Sequence, residues 1–158
     1  MTGVNAFQDL LPHNHCYGCG PDNRGGLKLK SYWNADGVSV AEFLPQPIHC
    51  AAAKHFVNGG VLATLVDCHG VCTAMADAYR RVGKSLTKEP LFAFATGSLT
   101  VKYPRPTPMG TLLNLEAEVC ATDAKQSTVD VKLSAGGKVC VSATVVAVRV
   151  PESWLEPA

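Results

Sequence analysis

Residues 59 to 82 form a helix-length run with almost no polar side. From Gly59 to Ala76 the only acid is Asp67, and there is no Lys or Arg. A helix without a wet face must be covered by more than one layer. The rest of the chain is therefore constrained to wrap this segment, by a strongly curved sheet or with help from a partner subunit. Asp67, His69 and Asp77 make the run too polar for a membrane span, so it reads as a buried helix. Arg80 and Arg81 suit its C-terminal dipole end, and Gly83 is a natural stop. An ionised carboxylate is costly to bury unpaired. Asp67 is either held by a partner distant in sequence, or its position serves chemistry.

The flanking segments supply the wrapping sheet. Residues 5 to 11 predict a short helix before Pro12, and residues 12 to 26 a loop rich in Cys and Gly. Residues 27 to 34 alternate as a strand does, Ala35-Asp36-Gly37 signals a hairpin turn, and residues 38 to 44 return until Pro45 and Pro47. A loop at 45 to 57 leads to the helix, and a polar, partly basic connection at 84 to 91 leaves it. Strands follow at about 92 to 103, 111 to 121 and 126 to 135, expected as a meander, with a fourth at 138 to 150. The order β-β-α-β-β-β-β predicts an α+β fold in one domain over 1–158, its helix facing a mostly antiparallel sheet.

The bulk numbers narrow the function. A length of 158 residues suits one domain, and a net charge of +1 gives no reason to expect a nucleic-acid or membrane surface. No signal-peptide pattern opens the chain. The seven cysteines are odd in number and several lie in apolar runs, so reduced thiols in a cytoplasm are expected.

Three motifs carry a resemblance. The first is Cys16-Tyr17-Gly18-Cys19-Gly20 with Asn23 and Gly26-Leu27-Lys28-Leu29. The second, and the most specific, is Asn58-Gly59-Gly60 with Asp67 eight residues after Gly59. The third is Ser98-Leu99-Thr100-Val101-Lys102-Tyr103-Pro104-Arg105-Pro106 followed by Gly110. The motifs lie between Cys16 and Gly110, and over roughly residues 16 to 149 the chain resembles the hotdog-fold acyl-CoA thioesterases of the phenylacetyl-CoA thioesterase-like branch. The resemblance implies a hotdog fold, hydrolysis of acyl-CoA thioesters, no cofactor beyond the coenzyme A of the substrate, and a homodimer or dimer of dimers. The family has His where this chain has Asn58, which keeps a donor and an acceptor but does not titrate. An orienting role there survives the change, and acid–base work does not. Related enzymes also place a polar amide six or seven residues before the double glycine, where this chain has Cys50-Ala51-Ala52-Ala53.

The residues themselves support that chemistry. On a helical wheel Asp67 shares a face with Gly60, Ala63, Thr64, Gly70, Val71 and Ala74, all small. Burial disfavours its charge, while an ionised Asp67 can activate water or attack a thioester carbonyl. Gly59 and Gly60 open the helix, where free N–H groups and the positive dipole end suit a developing oxyanion. Eight residues at about 1.5 Å rise separate Gly59 from Asp67 by about 12 Å along the axis, too far to serve one carbon. Two antiparallel helices in a twofold dimer resolve this, Gly59 of one facing Asp67 of the other.

Further candidates are Thr64, Ser98 and His49 for holding water or the acyl group, and Lys102, Arg105, Arg80 and Arg81 for the coenzyme A phosphates. His13, His15, Cys16 and Cys19 form a tight group of candidate zinc ligands. No second pair follows at finger spacing, so no metal is expected there. Cys68 and Cys72 read as core packing. Two other readings stay open: a hotdog dehydratase or hydratase using His49 or His55, and a non-catalytic acyl-CoA-binding module.

Overall fold

The computed structural model describes residues 5–86 and 92–156. The end of the expected polar connection at 84 to 91 lies outside the described residues. The elements are β1 (Ser31–Trp33), β2 (Ser39–Phe43), α1 (Gly59–Arg81), β3 (Ala93–Lys102), β4 (Leu113–Thr122), β5 (Gln126–Ala135) and β6 (Lys138–Val150). Short 3-10 turns stand at Phe7–Leu10, Pro47–His49 and Glu152–Leu155, the first in place of the expected N-terminal helix.

All six strands join one antiparallel sheet in the order β1-β2-β4-β5-β6-β3. It curves around α1, which packs on β3, β4, β5 and β6. This is the hotdog arrangement. By length and composition α1 is long and apolar enough to cross a membrane, yet most of that span is covered within the fold. Alternation explains the strands: Leu113, Leu115 and Ala117 of β4, Val129, Val131 and Leu133 of β5, and Val141, Ala143 and Val145 of β6 are buried against the helix. At Gly70 α1 lies close against β6. A Cβ there would lie 2.7 Å from Val145 Cγ2, so only glycine allows the approach.

Local signals account for the ends. Asn58 Oδ1 accepts from the Gly60 and Val61 N–H groups at 2.8 and 3.2 Å, capping α1. Gly83, at φ +67, ends it. Gly136 and Gly137, both at positive φ, turn β5 into β6.

Two expectations are corrected. The strand expected over 27 to 34 is only Ser31–Trp33. Lys28 adopts φ 59, and the N–H groups of Leu27 and Leu29 donate to Tyr17 and Gly18 carbonyls of the Cys/Gly loop instead of to a strand. The strand after the helix does not begin a meander. β3 crosses to the far edge and pairs with β6, leaving β4-β5-β6 as the meander. Hydrophobic alternation identifies a strand but not its neighbour.

Candidate active site

The sheet and the N-terminal loop together leave one strip of α1 half-covered. Asp67 lies on it with Ala63, Thr64 and Val71, and Gly60 at its start is exposed. Gly70 and Ala74, expected on that face, are buried. The space beside Asp67 therefore opens toward the helix N-terminus. The Asp67 partner comes from β3: Thr96 Oγ1 donates to Asp67 Oδ1 at 2.8 Å. Burial pushes the Asp67 carboxyl above its ordinary value, and the Thr96 hydrogen bond opposes that shift.

Thr96 was not among the expected site residues, and the local backbone explains how it gets there. The β3–β6 register slips between Thr96 and Ser98, a bulge at Gly97. Thr96 pairs with Ala147, which is buried on the helix side. Past the bulge, Leu99 and Val101 pair with the buried Val145 and Ala143, while Ser98 and Lys102 pair with Val146 and Ser142 on the outer face. Without the extra residue Thr96 and Ser98 would share a face. A Cβ at Gly97 would stand 2.6 Å from Val148 Cγ1, so glycine is required there. A glycine inside an alternating strand was the available signal.

At the helix start, Asn58 takes the N–H of Gly60 and of Val61. Among the described residues none accepts from the Gly59 N–H, which remains the free donor at the positive end of the helix. Tyr103, at the end of β3, donates its hydroxyl to the Gly59 carbonyl at 2.8 Å and lies 3.7 Å from where a Gly59 Cβ would be. Burial raises the Tyr103 pKa. Thr64 Oγ1 is turned back to the Gly60 carbonyl at 2.9 Å.

The other expected residues are spread out. His49 Nδ1 accepts from the Gln46 N–H at 3.0 Å, its carbonyl accepts from the Asn58 N–H, and burial lowers its pKa. Its visible work is to hold the loop that delivers Asn58. Ser98 and Lys102 face away from α1, and Arg105 Nη1 donates to the Val139 carbonyl. Arg80 and Arg81 pair with buried Asp77, about 32 Å along the helix from Gly59. His69 is fully buried between Ser31 Oγ and the Ser39 carbonyl, turned away from Asp67. His13 and His15 are exposed and do not join Cys16 and Cys19, whose sulfurs meet Cys68 instead.

This half-covered acid, opposite a strand-borne hydroxyl and two turns along from the helix N-terminus, sits in a fold shared with known proteins. A thioesterase superfamily protein from Shewanella loihica PV-4 is 34% identical, with the match covering 88% of this chain and 96% of that one at a TM-score of 0.65. The chain belongs to the thioesterase superfamily. Within this superfamily, a phenylacetic acid degradation-related protein from Ralstonia eutropha JMP134 shares the fold at 19% identity, with 91% and 99% covered and a TM-score of 0.65. A Bacillus halodurans protein solved with CoA shares it at 23% identity, with 79% and 76% covered and a TM-score of 0.61. No family model and no curated protein matches the chain.

Proposed function

We propose that this thioesterase-superfamily chain hydrolyses acyl-CoA thioesters in a reducing cytoplasm, with Asp67 as base or nucleophile. The observation that carries the reading is Asp67 itself, a carboxylate kept on the half-covered strip of an apolar helix and held by Thr96 Oγ1. A structural Asp would be enclosed by donors. Among the described residues this one has a single side-chain donor, and it stays partly exposed. Similar proteins solved with CoA support the substrate class.

As base, Asp67 takes a proton from water as the oxygen attacks the thioester carbon. The resulting oxyanion accepts a hydrogen bond from a Gly59 N–H. Collapse breaks the C–S bond, and the proton passes from Asp67 to the departing CoA sulfur. As nucleophile, Asp67 forms a mixed anhydride with loss of CoA thiolate, and water then cleaves it. In both routes the Gly59 donor belongs to the partner subunit of a homodimer, alone or within a dimer of dimers, because about 12 Å separates the two groups within one helix. The unpaired edge of β3, beside Thr96 and Tyr103, supports that interface. Asn58 positions the donor by occupying the two neighbouring N–H groups.

The test is Asp67→Asn with acyl-CoAs of short, long and aromatic chain, following free thiol. Loss of turnover with an unchanged dimer is expected, and retained turnover refutes the assignment. Acyl-CoA that raises the melting temperature of the parent protein without any turnover would make it a binding module instead. Label entering Asp67 during single-turnover hydrolysis in 18O water would establish the nucleophilic route, through attack of water on the Asp67 carbonyl of the anhydride.

A further inference from the structure

Four of the seven cysteines converge beside the active-site strip. Cys16 and Cys19 stand on the N-terminal loop, and Cys68 and Cys72 on successive turns of α1. The sulfurs of Cys16, Cys19 and Cys68 all lie within 4.8 Å of one another, and Cys16 Sγ is 3.6 Å from Cys68 Sγ. Cys19 and Cys68 are buried, and Cys72, one helical turn beyond Cys68, is buried too. Isolated buried thiols behave as small hydrophobes. Here two loop sulfurs and one helix sulfur stand together at one point.

The loop is built to bring them there. Gly18 has no room for a Cβ, which would fall 2.3 Å from Cys68 Sγ and 2.8 Å from Thr64 Cγ2. Gly20 has none either, because a Cβ would meet the Cys16 N and O at 2.4 and 2.7 Å. The Gly20 N–H donates to the Cys16 carbonyl at 2.8 Å, and Asn14 Oδ1 accepts from the Cys16 N–H at 3.1 Å. The C-x2-C segment is thus a locked turn pressed against the helix, with its two thiols on the helix side.

From this geometry we propose that Cys16, Cys19 and Cys68 bind one Zn2+ that clips the N-terminal loop to α1. Tetrahedral Zn2+ with bonds of about 2.3 Å has sulfur–sulfur edges of about 3.8 Å. The Cys16–Cys68 separation already matches, and the other edges within the trio need to close by about 1 Å at most. A disulfide requires about 2.0 Å and would join only two of the sulfurs. Thiolate donors select a soft divalent ion. Each thiol gives up its proton to solvent on binding. The cluster borders the active-site strip, Cys68 following Asp67 along α1, but the metal site does not rest on the assignment of thioester hydrolysis.

The test uses the full chain, reduced and metal-free, titrated anaerobically with Co2+ and then Zn2+. Expected are one equivalent of Co2+ with thiolate-to-cobalt charge-transfer absorption and tetrahedral d–d bands, erased by Zn2+, and a melting temperature raised by either ion. Cys19→Ser and Cys68→Ser should weaken Co2+ binding by at least the roughly 10–100-fold lost on removing an outer-shell partner. Cys120→Ser and Cys140→Ser, outside the cluster, should bind as the parent does. If Cys19→Ser does not fold, Cys16→Ser replaces it, because Cys16 is exposed and carries little of the packing. A folded, reduced protein that gives no thiolate–cobalt absorption overturns the proposal. So does a signature that persists unchanged in the cluster variants, or a Cys16–Cys68 disulfide in a protein whose reduced form takes up no metal.

Discussion

Thr96→Val is the most informative single change, because it removes one hydroxyl and almost no volume. The hydroxyl donates to Asp67 Oδ1 at 2.8 Å, and no other side chain donates to that carboxylate among the described residues. A hydrogen bond to a charged acceptor contributes about 1.5–3 kcal/mol. Asp67 is only half-buried, so water replaces part of the lost bond and the lower figure applies, about 1.5 kcal/mol. If the bond holds the carboxylate in its reacting position, that loss is about a tenfold fall in kcat/KM, carried by kcat. The assay is steady-state thiol release from the best acyl-CoA, with Thr96→Ser and Thr100→Val alongside. Serine keeps a donor and should retain most of the activity. Thr100 pairs with Thr144 on the outer face of the sheet, so its change should leave kcat as it was. A Thr96→Val enzyme within about twofold of the parent refutes the positioning argument, since about 0.4 kcal/mol is below what such a bond contributes.

Two further predictions concern the helix start and its supporting loop. A Cβ on Gly59 meets the Tyr103 ring only at ordinary contact distance, so Gly59→Ala should fold and gain about 0.5–1 kcal/mol of stability. Its turnover should nonetheless fall, because the methyl group crowds the N–H assigned to the oxyanion. Unchanged turnover by thiol release, in a protein of raised melting temperature, would remove Gly59 from the mechanism. His49 is held below its ordinary pKa by burial, and its Nδ1 accepts the Gln46 N–H only while neutral. The unfolded chain therefore takes up the proton first as pH falls. The stability His49 contributes is full above about pH 6.5 and is lost as pH drops through its lowered folded value. Melting temperature should fall more steeply between about pH 7 and 5 in the parent than in His49→Asn, which keeps an acceptor but does not titrate; parallel slopes would refute this.

How much of this was legible beforehand follows from how local each feature is. Asn58, the double glycine and Gly83 bracket α1 through bonds to their near neighbours, so the helix could be placed to within a residue. Asp67 could be singled out because an acid in an apolar run is costly wherever the run packs. Strands β4 to β6 declared themselves by alternation. The N-terminal strand was overestimated because Leu27 and Leu29 alternate properly while their N–H groups are spent on the Cys/Gly loop. Ser98 and Lys102, offered for the acyl group and the coenzyme A phosphates by residue type alone, follow the Gly97 bulge and so lie on the face away from α1, which no local pattern declares.

By itself, then, the sequence determined a long helix with a lone acid, Asp67, within its apolar stretch, an antiparallel sheet able to cover it, and a capped helix entrance presenting a glycine N–H. These depend on hydrogen bonds and side-chain periods that act within a few residues. Tertiary structure alone decided that β3 would cross to β6, that the Gly97 bulge would turn Thr96 toward Asp67, and that Cys16 would meet Cys68 across 52 positions. Each of those depends on contacts between segments far apart in the chain, where the choice among partners is made by packing around α1 and leaves no local period to read.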